Sequence, residues 1–189
     1  MSRAYRIRIS ETTRRVIRAE DHVGSQLEIL AILPADQMAS LLADQLAAHG
    51  FEREGNKATR TEGDLTTEVD LETGEFVVRA ARDEEVELTT EKTGYYYDDA
   101  GPKKKQVAES LRQQARDGFD KEAEAKTESL QRELTDRLEQ ELAGITCELD
   151  QVVNQVTADA LKIKAAQLGQ IKQVTDDPES GSLTIVVEV

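Results

Sequence analysis

The stretch from residue 102 to residue 174 constrains this chain most, because apolar side chains recur along it at helical spacing almost without a break. Val107, Leu111, Ala115, Phe119 and Ala123 are followed by Leu130, Leu134, Leu138 and Leu142, then by Ile145, Leu149, Val152, Val156, Ala160 and Ile163. Steps of three and four keep these residues on one stripe of a 3.6-residue helix. From Leu138 to Ile163 the steps approach the pattern of a coiled-coil seam. The rest of the helix surface is charged, with Glu122/Lys126, Glu128/Arg132 and Glu133/Arg137 as acid-before-base pairs. Each such pair contributes about 0.2–0.5 kcal/mol to an exposed helix. Pro102 suits a first helical turn, and Gly169 with the Asp-Asp-Pro at 176–178 marks the exit.

Unbroken, such a helix would reach roughly 100 Å. Residues 183–189, LTIVVEV, read as a β-strand, and a lone strand is not stable in water. If that strand joins a sheet formed by the N-terminal part, the helix must fold back. Gly144 near the midpoint is the favoured turn and Asp117-Gly118 the second choice. The expectation is a helical hairpin, with a continuous helix swapped between two subunits as the alternative.

Before the helix, residues 3–9 alternate as Tyr5, Ile7 and Ile9 against Arg6 and Arg8, the period of a half-buried strand. A turn at Ser10-Glu11 would lead into a second strand, Thr12–Ala19, giving a basic ribbon with Arg3, Arg6, Arg8, Arg14, Arg15 and Arg18. The bland reading of these arginines is the solvated face of a hairpin beside acidic strands. The functional reading makes Arg6, Arg8, Arg14 and Arg15 a docking surface for an acidic partner. Residues 52–92 hold thirteen acids and six bases, so complementary strands lie within reach in the sequence.

Residues 26–33, QLEILAIL, read as a buried strand, and Pro34 opens a helix ending at His49-Gly50 with Met38, Leu41, Leu42, Leu46 and Ala47 on its apolar face. Strand-like pieces follow at 51–54, 57–62, 65–71, 75–81 and 85–90, separated by Gly55-Asn56, Gly63-Asp64, Glu72-Thr73-Gly74 and the acidic residues 83–85. Short runs with glycine-containing turns signal an antiparallel meander. Tyr95, Tyr96 and Tyr97 sit where sheet gives way to helix, as packing residues or as a platform for a small ligand or peptide. Lys103, Lys104 and Lys105 at the helix start oppose the macrodipole and read as solvated.

Motifs that would commit the chain to a reaction are missing. His22 and His49 have no Cys or His at ligand spacing, so no metal is expected, and a hydrolase or metal enzyme would need one of them to meet carboxylates in a cleft. No phosphate-binding glycine loop or nucleophile elbow is present, and no cofactor is expected. Cys147 precludes an internal disulfide and reads as a small buried residue at the edge of the seam. The net charge of −14 disfavours nucleic acid as a partner. No apolar run is long enough for a membrane span, and the start lacks the apolar core of a signal peptide. A cytoplasmic, bacterial-type protein is the expectation.

The opening MSRAYRIRISETTRRVIRAEDHV, the all-β middle, the long charged helix and the closing LTIVVEV together resemble an accessory domain of the bacterial FtsH ternary systems. Those systems group an FtsH-like AAA+ ATPase, a MoxR-type ATPase and a von Willebrand factor A (vWA) protein with small accessory domains. The resemblance covers nearly the whole chain and rests on layout, with no active-site residues to carry over. It implies a non-catalytic partner of an ATP-driven remodelling or conflict-related assembly, bound to an AAA+ ATPase or a vWA protein.

The sequence therefore predicts an α+β fold: a mostly antiparallel sheet in residues 1–100 with one packed helix at 34–49, a helical arm at 102–174, and a C-terminal strand at 183–189 returning to the sheet. It predicts an adaptor that binds proteins through Leu130, Leu134, Leu138, Leu142, Ile145, Leu149 and Val152 on the arm, with homodimerisation through the arm as a second use. A small-ligand or peptide-binding module near Tyr95–Tyr97 is the alternative.

Overall fold

The computed structural model describes residues 3–97, 103–177 and 182–188 of the 189-residue chain. It is α+β. A five-stranded sheet is ordered β1-β5-β4-β3-β2, from Ala4–Gln26 (β1), Glu52–Glu54 (β2), Lys57–Glu62 (β3), Leu65–Asp70 (β4) and Glu75–Tyr97 (β5). Helix α1 is Ala35–Ala48, helix α2 is Lys104–Leu168, and Gln170–Asp177 (β6) with Ser182–Glu188 (β7) form a separate two-stranded sheet. Two compact units result: Met1–Glu20 with Ala81–Thr135, and Asp21–Ala80 with Asp136–Val189. The division cuts across the expected sheet-and-arm boundary.

Two expected turns do not form. The Ser10-Glu11 pair lies inside a single 23-residue strand, and residues 83–85 lie inside another of the same length. Neither site offers the Gly or Asn that tight hairpin turns use at positive φ. Where glycine is present, the turns form as read. Gly55-Asn56 joins β2 to β3 and Gly63-Asp64 joins β3 to β4, with Gly55 and Gly63 both at φ +63°. Glycine first in a two-residue loop matches a type II′ turn.

In the first unit, the inward positions of β1 and β5 lie beneath the first half of α2. Ile17, Ala19, Val86 and Leu88 are buried there, as are Leu111, Ala115, Phe119, Ala123, Leu130 and Leu134 of the helix. A Cβ placed on Gly94 of β5 would touch Val107 and Leu111 at 3.1 Å, so the helix lies close to the strand here. The helix begins with the Lys103 backbone N–H donating to the Gln106 side chain at 2.9 Å, the reciprocal half of a capping box.

In the second unit, one face of the meander carries Ala58, Leu65, Thr67, Val69, Phe76, Val78 and Ala80, all buried. Helix α1 contributes Met38, Leu42, Ala43 and Leu46, and α2 contributes Leu138, Leu149, Val152, Val153, Val156 and Ala160. Gln45 bonds Asp159 and His49 meets Glu148, so the two helices run antiparallel. Residues 27–33 are not a strand. The Leu27 N–H donates to the Gly74 carbonyl, and Ile29 and Ile32 close tight turns onto Leu27 and Leu30.

Helix α2 is continuous, so the expected hairpin is corrected. It does not turn at Gly118 or Gly144, neither of which has a Pro or Asn beside it. The C-terminal strand does not return to the main sheet either. It pairs with β6, a segment read from sequence as the end of the helix, so that pairing needs no reversal of α2. Gly169 breaks the helix, and Ile171, Val174 and Thr175 supply the β-branched residues that favour a strand.

Candidate functional site

The arginine ribbon has its partners inside its own unit. On the outward face Arg8, Arg14 and Arg18 of β1 meet Glu91, Glu87 and Asp83 of β5 at 3.1–3.2 Å, and Thr12 meets Thr89. Arg15 points the other way and pairs with Asp120 of α2 at 2.7 Å. Arg6 is exposed on the outward face. The cross-strand ladder expected from the acidic composition of residues 52–92 is thus present, and all its charges stay accessible to solvent.

The arm residues divide differently. Leu130, Leu134, Leu138, Leu149 and Val152 are each no more than 3% exposed, and Leu142 and Ile145 are half-buried. Of the three acid–base pairs read along the arm, Glu128/Arg132 forms at 3.4 Å. Glu133 instead meets Arg82, and Arg137 meets Asp64 at 3.0 Å. Cys147 is exposed, not buried, because two helical residues from Ile145 is a turn of about 200° that carries it off the seam. Tyr96 stacks on Tyr5 with ring centroids 5.3 Å apart, while Tyr95 and Tyr97 are exposed. A cleft of about 210 Å³ in the second unit is lined by Leu27, Ile29, Leu33, Met38 and Leu71 among others and does not involve these tyrosines. It is smaller than the roughly 300–1,000 Å³ of ordinary ligand pockets.

The sequence reading missed one charged cluster. The alternation of β3 that buries Ala58 also points Arg60 towards the helices. Its guanidinium grips both oxygens of Glu148 at 2.7 Å, donates to the His49 carbonyl at 2.9 Å and lies 4.6 Å from the centre of the Phe51 ring. His49 Nδ1 is 3.1 Å from the same carboxylate. The hydrogen bonds from Arg60 hold the Glu148 carboxyl below its ordinary range, against the opposing effect of burial. A carboxylate gripped on both oxygens is a poor general base, and the cluster works as a clamp between α1, β3 and α2. Only the alternation of β3 could have flagged Arg60, since Glu148 lies 88 residues away.

The least covered apolar surface of the second unit is its C-terminal end. Leu161, Ile163 and Leu168 on the last turns of α2, Val174 on β6 and Val186 on β7 are 38–63% exposed. The β6/β7 register puts Ile171 opposite Val187 and Val174 opposite Ile185, with a shift between Ile171 and Gln173. Through that shift both Ile171 and Val174 share the face of Leu183, Ile185 and Val187. None of the residues whose burial is described in this hairpin is buried. Gly169 seats the hairpin on the helix end: a Cβ there would overlap the Glu188 carbonyl oxygen and lie 3.0 Å from Val187. Among the described residues no cluster of His, Cys, Asp and Glu is arranged to hold a metal ion, and no helix is long and apolar enough to cross a membrane.

Comparison with known families agrees with the resemblance drawn from the sequence. The family model described as FtsH ternary system domain X5 matches residues 1–189, and the chain belongs to that family. No curated protein and no solved structure matches it.

Proposed function

We propose that this member of the FtsH ternary system domain X5 family is a non-catalytic adaptor that binds another protein component of its system. The AAA+ ATPase and the vWA protein are the partners to test. One observation carries the reading: five exposed large apolar residues, Leu161, Ile163, Leu168, Val174 and Val186, fall within 26 residues at one end of the second unit. Val174 and Val186 lie on opposite faces of the hairpin, so the exposed apolar surface wraps this end, and apolar surface concentrated in this way favours protein association. The docking surface is accordingly this end of the chain. The arm residues Leu130, Leu134, Leu138, Leu149 and Val152 are buried and present little surface to a partner. The acidic net charge supports a partner with a basic rim around an apolar centre.

The test is calorimetric titration of the purified chain with each purified ATPase and vWA protein of the same system. Binding to one of them, lost in Leu168→Asp with unchanged circular dichroism, is the expected result. Absence of binding to any of these components would overturn the reading.

A further inference from the structure

Among the described residues no strand pairs with the outer edge of β7, and that edge has none of the usual protections against pairing. Residues 183–187 contain no charge, glycine or proline, and the register shift of the hairpin falls on β6. Edge strands in soluble proteins are normally blunted by such features. Strand β1, also an edge strand, shows the contrast by carrying Arg6, Arg8, Arg14 and Arg18. A two-stranded hairpin is marginal in water, and a third strand or a covering layer is what stabilises it. Something is expected on this edge.

The strand itself indicates what fits. Antiparallel pairing of β7 with an identical copy, centred on Ile185, sets Leu183 opposite Val187, Thr184 opposite Val186 and Ile185 opposite itself. In that register every residue meets one of the same parity, so the unpaired backbone groups on one edge face those on the other. The face bearing Ile171, Val174, Leu183, Ile185 and Val187 continues across the junction. Glu188 falls opposite Ser182, so no like charges meet, and Glu188 is already paired with Lys172 at 2.8 Å. The pairing is isologous and closed, as a two-fold dimer requires.

We propose that β7 pairs with the β7 of a second copy of this chain, making a four-stranded sheet ordered β6-β7-β7-β6 with Leu183, Ile185 and Val187 of both copies on one face. The dimer contact therefore lies at β7 and not along α2. Because each chain carries a net charge of −14, mutual repulsion opposes the dimer and added salt strengthens it. The proposal goes beyond the adaptor reading and does not depend on it.

Sedimentation equilibrium of the full chain, over a range of concentration and salt, measures the assembly. A reversible monomer–dimer equilibrium between 21.0 kDa and twice that mass, tightening with salt, is expected. Ile185→Lys weakens it by about 30-fold or more, the size of a central contact loss. A second variant reports the register directly. With Cys147→Ser removing the native thiol, Ile185→Cys cross-links to its own copy on mild oxidation, whereas Thr175→Cys on β6 does not. A monomer at all concentrations, a dimer indifferent to Ile185→Lys, or cross-linking at Thr175→Cys but not at Ile185→Cys would each overturn the proposal. A foreign strand on this edge would give the first outcome while leaving partner binding intact, so failure here is separable from failure of the adaptor reading.

Discussion

Two antiparallel strand pairs in this molecule obey the same alternation and end in opposite conditions. In the first unit, the β1/β5 ribbon buries Ile17, Ala19, Val86 and Leu88 beside Leu111, Ala115, Phe119 and Ala123 of α2, and its outward face is a ladder of ion pairs. In the second unit, the β6/β7 hairpin collects five apolar residues on one face and buries none of those whose burial is described. Period-two alternation decides only which side chains share a face. A face becomes a core when a second layer covers it. The ribbon has such a layer in its own chain, and the hairpin's half-covered face and outer edge are where association is expected.

The largest expected effect tests that difference directly. Phe119→Ala removes a ring only 4% exposed and should cost about 3–5 kcal/mol of unfolding free energy. Ile185→Ala, at a half-buried position, should cost about 1 kcal/mol or less in the monomer. Urea unfolding of both variants at low protein concentration measures the pair. Equal costs would mean that the hairpin is as well covered as the ribbon, and the contrast would fail.

Next in size is the Arg60–Glu148 clamp, whose charged hydrogen bonds contrast with the exposed ladder of the ribbon. Arg60 is 13% exposed and Glu148 30%, so Arg60→Leu strands a partly buried carboxylate and should cost about 2 kcal/mol. Because the folded-state pKa of Glu148 is depressed, its contribution is complete above the unfolded carboxyl pKa and disappears as pH falls through the folded value. Stability of the wild type should therefore decline on acidification more steeply than that of Glu148→Gln. Parallel acid profiles for the two would remove the clamp from the account.

Much of this arrangement was legible in the sequence. The meander turns at Gly55, Gly63 and Gly74, helix α1 and the stripe of α2 followed from glycine placement and apolar spacing. The cross-strand ladder followed from the acidic excess in residues 52–92. The errors came where local signals are silent. Ser10-Glu11 and residues 83–85 are polar enough to turn, yet pairing along the whole of β1 and β5 keeps both strands extended. The path of α2 is misread when the terminal strand is given a distant partner, because its partner is the strand just before it, β6. The clamp joins residues 88 apart and leaves no trace at short range.

The smallest expected effect sharpens the comparison at the outward face of the ribbon. Arg14 and Glu87 sit 3.2 Å apart, with their side chains 68% and 56% exposed. Water and salt screen such a pair, so a double-mutant cycle of Arg14→Ala and Glu87→Ala should give a coupling of only about 0.2–1 kcal/mol. That coupling should shrink as salt is raised, because the charges lie within reach of mobile ions. The β7 dimer should respond in the opposite sense, tightening with salt as the repulsion between acidic chains is screened. A salt-insensitive coupling above that range would mean that the ladder contributes to the fold as a buried network does. In that case the arginines of β1 would be structural first, and their use as a docking surface for acidic partners would lose its basis.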